Sequence, residues 1–265
     1  MYFEKQYLQK LDTLLKTGSV RHNRTGIDTL SLFGAVLSHS MGKGFPLLTT
    51  KRVYFKGCVH ELLWMLSGST NIEYLNSNGV HIWDPWADKN GDLGPVYGKQ
   101  WTSWGPDGVN KVFNVQELIK NDPYSRRIII NAWNVGELDK MALPPCHILF
   151  QFYPEPTTRR LSLIVYMRSA DIFLGLPFDV AEGALLLQMM SAVTGYYPDM
   201  LTYMVGDLHL YVNHVEQAKK QLKRNYRPVP NLTIPVRDSV FEYQYEDFVL
   251  AGYEPHDAIK VEVAV

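Results

Sequence analysis

Thiols are scarce in this chain: Cys58 and Cys146 are the only two among 265 residues. That excludes a disulfide framework and a four-cysteine zinc site, and it suits a reducing cytoplasm. An excess of one charge is also missing. Lys+Arg number 26 and Asp+Glu 27, a formal net charge of −1. A general nucleic-acid binder needs a basic surplus to neutralise many phosphates, so that class is not expected, whereas a small anion needs only a local arginine cluster. No apolar run reaches the ~18 residues of a membrane-spanning helix. The opening stretch MYFEKQYLQKLDTLLK carries charges throughout and is not expected to act as a secretory leader. Neither a Walker loop nor a Gly-x-Gly-x-x-Gly turn occurs, so nucleoside triphosphates and dinucleotides lack their usual cradle. Internal repeats, low-complexity tracts and flexible linkers are absent too.

What is present is ordinary globular composition, 46% hydrophobic and 20% charged, in a chain long enough to bury a core without metals or disulfides. Residues 1–17 place Tyr7, Leu8, Leu11, Leu14 and Leu15 on one helical stripe. Thr29–Ser38 reads as a strand, and Val53–Leu66 as a buried helix stopped by Ser67-Gly68. Pro85, Gly91, Gly94, Pro95 and Gly98 mark Trp83–Gly98 as loop. Arg127–Trp133, His147–Tyr153 and Leu161–Tyr166 are β-branched and aromatic, as buried strands are, and Pro154–Arg160 reads as the hairpin between the last two. Val180–Val193 should be a core helix, Leu201–Val205 a strand and Val212–Leu222 a helix. The Pro-rich segment Arg227–Pro235 leads into short strands and an irregular tail. Helices and strands intersperse without regular βαβ alternation, which predicts an α+β fold in a single domain over residues 1–265.

Two signals carry chemistry. Cys146 stands in Leu-Pro-Pro-Cys-His. A lone cysteine is usually a small buried hydrophobe, and a nucleophilic thiolate needs positive charge nearby. Cys58 lies inside a helical apolar pattern and reads as core. The second signal is arginine at turns and strand ends: Arg24 in Asn-Arg-Thr-Gly, Arg126-Arg127 before Ile-Ile-Ile, and Arg168-Ser169 at the end of a predicted strand. Such placements suit bidentate phosphate clamping; surface ion pairing is the bland alternative for any one of them.

Read together, the segments resemble the thymidylate synthase family along nearly the whole chain. Arg24-Thr-Gly, Phe45-Pro-Leu-Leu-Thr-Thr-Lys-Arg52, His60-Glu-Leu-Leu-Trp64, Trp83-Asp-Pro-Trp-Ala87 and Gly91-Asp-Leu-Gly-Pro-Val-Tyr-Gly98 match it. So do Ser125-Arg-Arg127, Ala132-Trp-Asn134, Pro145-Cys-His147, Arg168-Ser169, Phe173-Leu-Gly-Leu-Pro-Phe178, His209-Leu-Tyr211 and the final Val-Ala-Val. The resemblance implies a mixed β-sheet packed with helices and an obligate sheet-to-sheet homodimer. It also implies a nucleoside monophosphate substrate and 5,10-methylenetetrahydrofolate as one-carbon donor, with no metal, no membrane and no nucleic acid required.

The same resemblance assigns roles. Cys146 is the thiolate that adds to pyrimidine C6 and makes C5 nucleophilic. Arg168 lowers its pKa and binds phosphate, and Arg24 and Ser169 complete the phosphate site. Arg126 and Arg127 reach that site from the partner subunit. His209 and Tyr211 hold the sugar 3′ hydroxyl, which favours dCMP over CMP. Glu61 anchors a proton-transfer network with Tyr97 and His147 nearby; Asn134 either supports it or only packs. Asp171 binds the pterin, while Trp83, Trp86, Leu174, Gly175, Phe178 and Val265 form the folate wall and lid; packing is an alternative for Trp86, Leu174 and Phe178. Lys51 and Arg52 face the folate glutamate tail or a phosphate.

Asp179 departs from the family, which places Asn after Leu-Pro-Phe to donate to uracil O4 and accept from N3–H. An ionised Asp repels O4, accepts from the cytosine 4-amino group and, when protonated, shares its proton with N3. Asp179 therefore reads as a cytosine selector. Met167-Arg-Ser169 and Val205-Gly-Asp-Leu-His209 are similar to phage deoxycytidylate hydroxymethylase, consistent with a phage-encoded enzyme in a host cytoplasm. Hydroxymethylases let water capture the exocyclic methylene, whereas methylases exclude it. The retained Trp83, Trp86 and Val-Ala-Val tail favour exclusion and a 5-methyl product. Hydroxymethylation of dCMP, thymidylate synthesis from dUMP and a catalytically idle binding protein stand as alternatives. The intact Cys146, Arg168 and Glu61 weigh against the last.

Overall fold

The computed structural model describes residues 2–262. The N-terminal stripe becomes α1 (Phe3–Thr17), with Tyr7, Leu11 and Leu14 fully buried. It packs on β2 (Thr29–Ser40), which pairs with the short β1 (Ser19–Arg21). α2 (Phe55–Ser67) ends where expected, because Gly68 takes a left-handed φ of 76° that a side chain would resist. The stretch expected to be loop is less irregular than its glycines suggest. It holds a 3-10 turn at Asp84–Trp86 and opens α4 (Tyr97–Thr102), after the short α3 (Glu73–Ser77).

The strand expected over 127–133 shortens to β3 (Ile129–Asn131), which pairs with β4 (His147–Glu155). β5 (Arg160–Asp171) and β6 (Tyr197–Tyr211) both run far past their apolar centres. Pairing with each other carries them through Arg168–Asp171 and Gly206–Tyr211, where the sequence turns polar. The expected hairpin loop is a turn at 156–159, and Arg159 takes the only positive φ outside glycine among the described residues, 55°. The helix expected from Val212 starts as a 3-10 turn and becomes α7 (Val215–Leu222). The tail contributes the two-stranded pair β7 (Asn231–Thr233) and β8 (Val249–Ala251).

The main sheet has the order β1-β2-β6-β5-β4-β3, a mixed sheet inside an α+β domain. All of its pairs are antiparallel except β5 with β6. A parallel pair needs a crossover, and α6 (Gly175–Thr194) supplies it, packing on both strands and on α2. This helix is long and apolar enough to cross a bilayer by length and composition, more than the sequence reading allowed, but 78% of its apolar window is buried inside the fold. A helix apolar all round belongs in a core, so its two carboxylates, Asp179 and Glu182, stand out. A Cβ on Gly183 would collide with the Tyr203 hydroxyl, and that hydroxyl donates to the Asp179 carbonyl. The glycine thus lets β6 lock the turn of α6 that carries both acids.

Over residues 35–39 of β2, 201–205 of β6 and 161–167 of β5 the odd-numbered residues are buried, whereas the even-numbered ones, on the other face, are partly or fully exposed. Val36, Met204 and Tyr166 lie side by side across three strands on that face and are 48%, 43% and 40% exposed. A contiguous apolar row on a sheet face marks an interaction surface.

Candidate active site

Parallel pairing of β5 and β6 brings their C-terminal ends together. Ser169 sits opposite Asp207, and Asp171 opposite His209. A Cβ on Gly206 would lie 3.0 Å from the Arg168 carbonyl oxygen, so glycine there permits the close approach. Arg168 spreads its guanidinium over the segment ahead of β4. Its Nε donates to the Pro145 carbonyl at 2.7 Å and its Nη2 to the Pro144 carbonyl at 2.9 Å. Nη2 also stands 3.9 Å from Cys146 Sγ. The two prolines thus present their carbonyls, and the thiol follows in the grip of the same arginine. On the other side the Cys146 N–H donates to the Tyr97 hydroxyl at 2.8 Å. Just beyond, the β4–β5 register shifts between His147 and Leu149, a local bulge of the kind that re-aims side chains at sites.

Burial pushes the Cys146 thiol up from its ordinary value. Arg168 is the largest opposing influence, Arg24 and the Tyr97 hydroxyl add to it, and Asp179 works against them. Arg168 therefore acts in the direction expected, but in the chain alone burial outweighs it. Cys58 is fully buried, its thiol facing the Tyr54 carbonyl and raised by burial, as the core reading required.

A second group of acids lies beside the thiol. Asp179, in the first turns of α6, is pushed well above the usual carboxylate range by burial, then by Glu61 and Asp171. Glu182, one turn on, is buried and raised in the same way, with Glu61 and Asp179 as neighbours. Glu61 projects from α2, is raised by burial, and accepts from the Trp83 indole N–H at 2.7 Å. Trp83, expected in the folate wall, thus also orients Glu61. Glu182 was not singled out from the sequence; a charged residue amid Val-Ala-x-Gly-Ala-Leu-Leu was the available signal. Ligand-capable atoms of His147, Asp179 and Glu182 all lie within 4.8 Å of one another. This donor set suits a cation in principle, but its raised acids and lowered histidine favour neutral, proton-sharing groups.

His147 packs against Tyr97, Trp101 and Phe150, and burial lowers it to about 4. Its folded value lies below the ordinary 6.5, so its contribution is intact above that value. It is lost as pH falls, because the unfolded chain takes the proton first. Between pH 7 and pH 4.5 the wild type should lose roughly 2–3 kcal/mol of unfolding free energy more than His147→Gln. Denaturant titrations of both proteins at the two pH values check this, and parallel curves would refute it. The raised carboxyls titrate with the opposite sign and are common to both proteins.

The remaining expected residues divide. Ser169, His209 and Tyr211 line the same strand ends, with His209 and Tyr211 rings 5.4 Å apart. Arg24 is exposed on the loop before β2, and its charge acts on both Cys146 and Tyr211. Asp171 Oδ1 accepts from the Phe173 and Leu174 N–H groups, which fixes the entry to α6. Gly175 lies beside both acids, since a Cβ there would come within 3.5 Å of Asp179 Oδ2 and 3.9 Å of Asp171 Cβ. Leu174, Phe178 and Trp86 are half-buried and packed on the core, and Trp86 Nε1 is buried without a partner. Asn134 donates to Gln100 and Glu137 and is engaged there.

Lys51 does not face outward. Its ammonium is buried, donates to the Phe173 carbonyl, lies 3.7 Å from that ring's centroid and is lowered to about 8 by desolvation. Arg52 beside it is exposed. Arg126 and Arg127 are exposed at the turn before β3 and join no ion pair among the described residues. Val265 lies outside the described residues.

The family model described as thymidylate synthase matches residues 5–265.

Proposed function

Because the chain belongs to the thymidylate synthase family, whose reaction is folate-dependent C5 methylation of a pyrimidine nucleotide, we propose that it converts dCMP to 5-methyl-dCMP. The observation that carries this reading is Asp179: a buried acid stands beside the Cys146 thiol, on the helix that crosses behind the site, where the family places the asparagine that reads uracil.

The residues divide the work. Arg24, Arg168 and Ser169 take the phosphate, joined by the partner subunit's Arg126 and the partner subunit's Arg127. His209 and Tyr211 take the deoxyribose hydroxyl. A phosphate bound there lets Arg168 keep its hold on the Pro144 and Pro145 carbonyls while its charge supports the thiolate. Addition of Sγ to C6 breaks the C5–C6 double bond and moves electron density towards C5 and N3. N3 then becomes basic. Asp179 answers by donating its proton to N3 while its other oxygen accepts from the 4-amino group, a charge-assisted pair that strengthens as the reaction proceeds. Glu61, oriented by Trp83, serves the C5 proton through the network that includes His147 and Tyr97.

Methylenetetrahydrofolate, when bound, supplies the one-carbon unit and the hydride. The residues present fit it. Leu174 and Phe178 stand half-buried at the start of α6, Trp83 and Trp86 pack edge-on beside Glu61, and the unpartnered Trp86 Nε1 offers a donor. Arg52 is exposed and available to an anionic tail, whereas Lys51 is engaged inside. Those apolar side chains exclude water, which favours methyl over hydroxymethyl. The row Val36–Met204–Tyr166 supports sheet-to-sheet pairing of two copies, a homodimer in which each copy's exposed arginines serve the other's phosphate. The setting proposed is a cytoplasm.

The test is direct. With the folate present, C5 tritium should be released from dCMP at least ~100-fold faster, in kcat/KM, than from dUMP. Mass spectrometry of the product should show an added methyl group, with dihydrofolate appearing in step. Release from dUMP alone would overturn the cytosine reading, and a hydroxymethyl product would assign the alternative chemistry.

A further inference from the structure

A single protonated carboxyl is an ambiguous reader. Turned one way, Asp179 donates to cytosine N3 and accepts from the 4-amino group; flipped, it accepts from uracil N3–H and donates to O4. Something else must break that symmetry. The cytosine amino group carries two N–H donors, of which Asp179 satisfies one. Uracil O4 carries none.

Glu182 is placed to supply the missing acceptor. It lies three residues after Asp179, on the same face of α6. The residue is 5% exposed, and its Oε1 has no hydrogen-bond partner. An unpartnered buried polar atom is costly, so a role that fills it in the bound state is the economical explanation. Ligand-capable atoms of Glu182, Asp179 and His147 lie within 4.8 Å of one another, next to the acid that reads the base edge. Glu182 adjoins Glu61, which accepts from Trp83, and no hydrogen bond joins Oε1 to Asp179 or His147.

We propose that Glu182 is a specificity-determining residue, its Oε1 accepting the second N–H of the cytosine 4-amino group. Resting on the cytosine reading above, this assigns two acceptor oxygens to the two amino hydrogens. Both acids are raised by burial, and Glu182 adjoins Glu61, so a shared proton on that side leaves Oε1 as a carbonyl-type acceptor. Uracil in the same place sets its O4 lone pairs against Oε1, an unpaired contact in a dry site.

The experiment compares kcat/KM for dCMP and dUMP, by C5 tritium release, in wild type and Glu182→Gln. An amide keeps an acceptor for the amino group but also offers a donor to O4. The dCMP-to-dUMP ratio should fall ~10-fold or more, because the new amide donor pairs with O4. An unchanged ratio would overturn the proposal. If the variant does not fold, the wild type decides with N4-methyl-dCMP, which retains one N–H. Its affinity should fall at least ~10-fold below that of dCMP, and equal affinity would overturn the proposal. The wild-type ratio separates the two readings. A preference for dUMP removes both, whereas a preference for dCMP that Glu182→Gln leaves intact removes this one alone.

Discussion

Cys146→Ala should abolish C5 tritium release, by at least ~10⁴-fold, while dCMP still binds within ~10-fold of wild type. The size follows from chemistry. Pyrimidine C5 is a poor nucleophile until C6 has been attacked, so without the thiolate neither exchange nor transfer can begin. Arg24, Arg168, Ser169, His209 and Tyr211 lie outside the deleted group, so the phosphate and sugar contacts should survive. Tritium release and equilibrium dialysis of the folded variant separate the two effects. Cys58 offers no rescue, because it is fully buried in α2. Exchange that persists in the alanine variant would remove Cys146 from the nucleophile role and the mechanism with it.

Asp179→Asn should reverse the base preference. The amide cannot give N3 a proton, and its N–H₂ in turn suits O4. The kcat/KM for dCMP should fall ~10³-fold and that for dUMP should rise, moving their ratio by ~10⁴-fold. The variant should fold, because the Tyr203 hydroxyl meets the backbone carbonyl of residue 179 and not its side chain. Loss of an acid whose pKa burial raises also removes a group that favours low pH. Its folded value lies above the unfolded one, so its stabilising contribution is present below about pH 4 and is lost as pH rises. The variant should therefore gain most, relative to wild type, at alkaline pH. A ratio that does not move would mean that other side chains read the base.

Much of the site was legible because its parts are short and locally distinctive. Pro-Pro-Cys-His, Arg-Ser at a strand end and Asp after Leu-Pro-Phe are each readable in a few residues. The strands that carry the site were harder. β5 and β6 were read only over their apolar centres, and their polar ends became strand through a parallel pairing that no local pattern encodes. α5 (Lys111–Asn121) was missed although Asn110 caps it, accepting from the Phe113 N–H at 2.9 Å, because its apolar stripe of Val112, Val115 and Ile119 is sparse. Lys51 shows the limit on side chains. The family resemblance set it, with Arg52, towards a folate glutamate tail or a phosphate, and tertiary packing turned it onto Phe173 instead. Glu182 was hidden for the opposite reason: a single acid within an apolar run acquires meaning only when Glu61 arrives from α2.

The run β5–α6–β6 has a consequence for descent. Arg168, Ser169, Asp171, Asp179, Glu182, His209 and Tyr211 all lie on this one unbroken stretch of chain. The proposed base reading and sugar contact, with the Arg168–Ser169 part of the proposed phosphate site, are therefore inherited together, as a cassette that recombination can move whole. Within the cassette, the two acids occupy one turn of a helix whose backbone is locked by Tyr203. If the two acids read the base as proposed, substrate choice can drift by single codons in a scaffold that need not move, and a lineage can change which base it marks without changing how it holds a nucleotide.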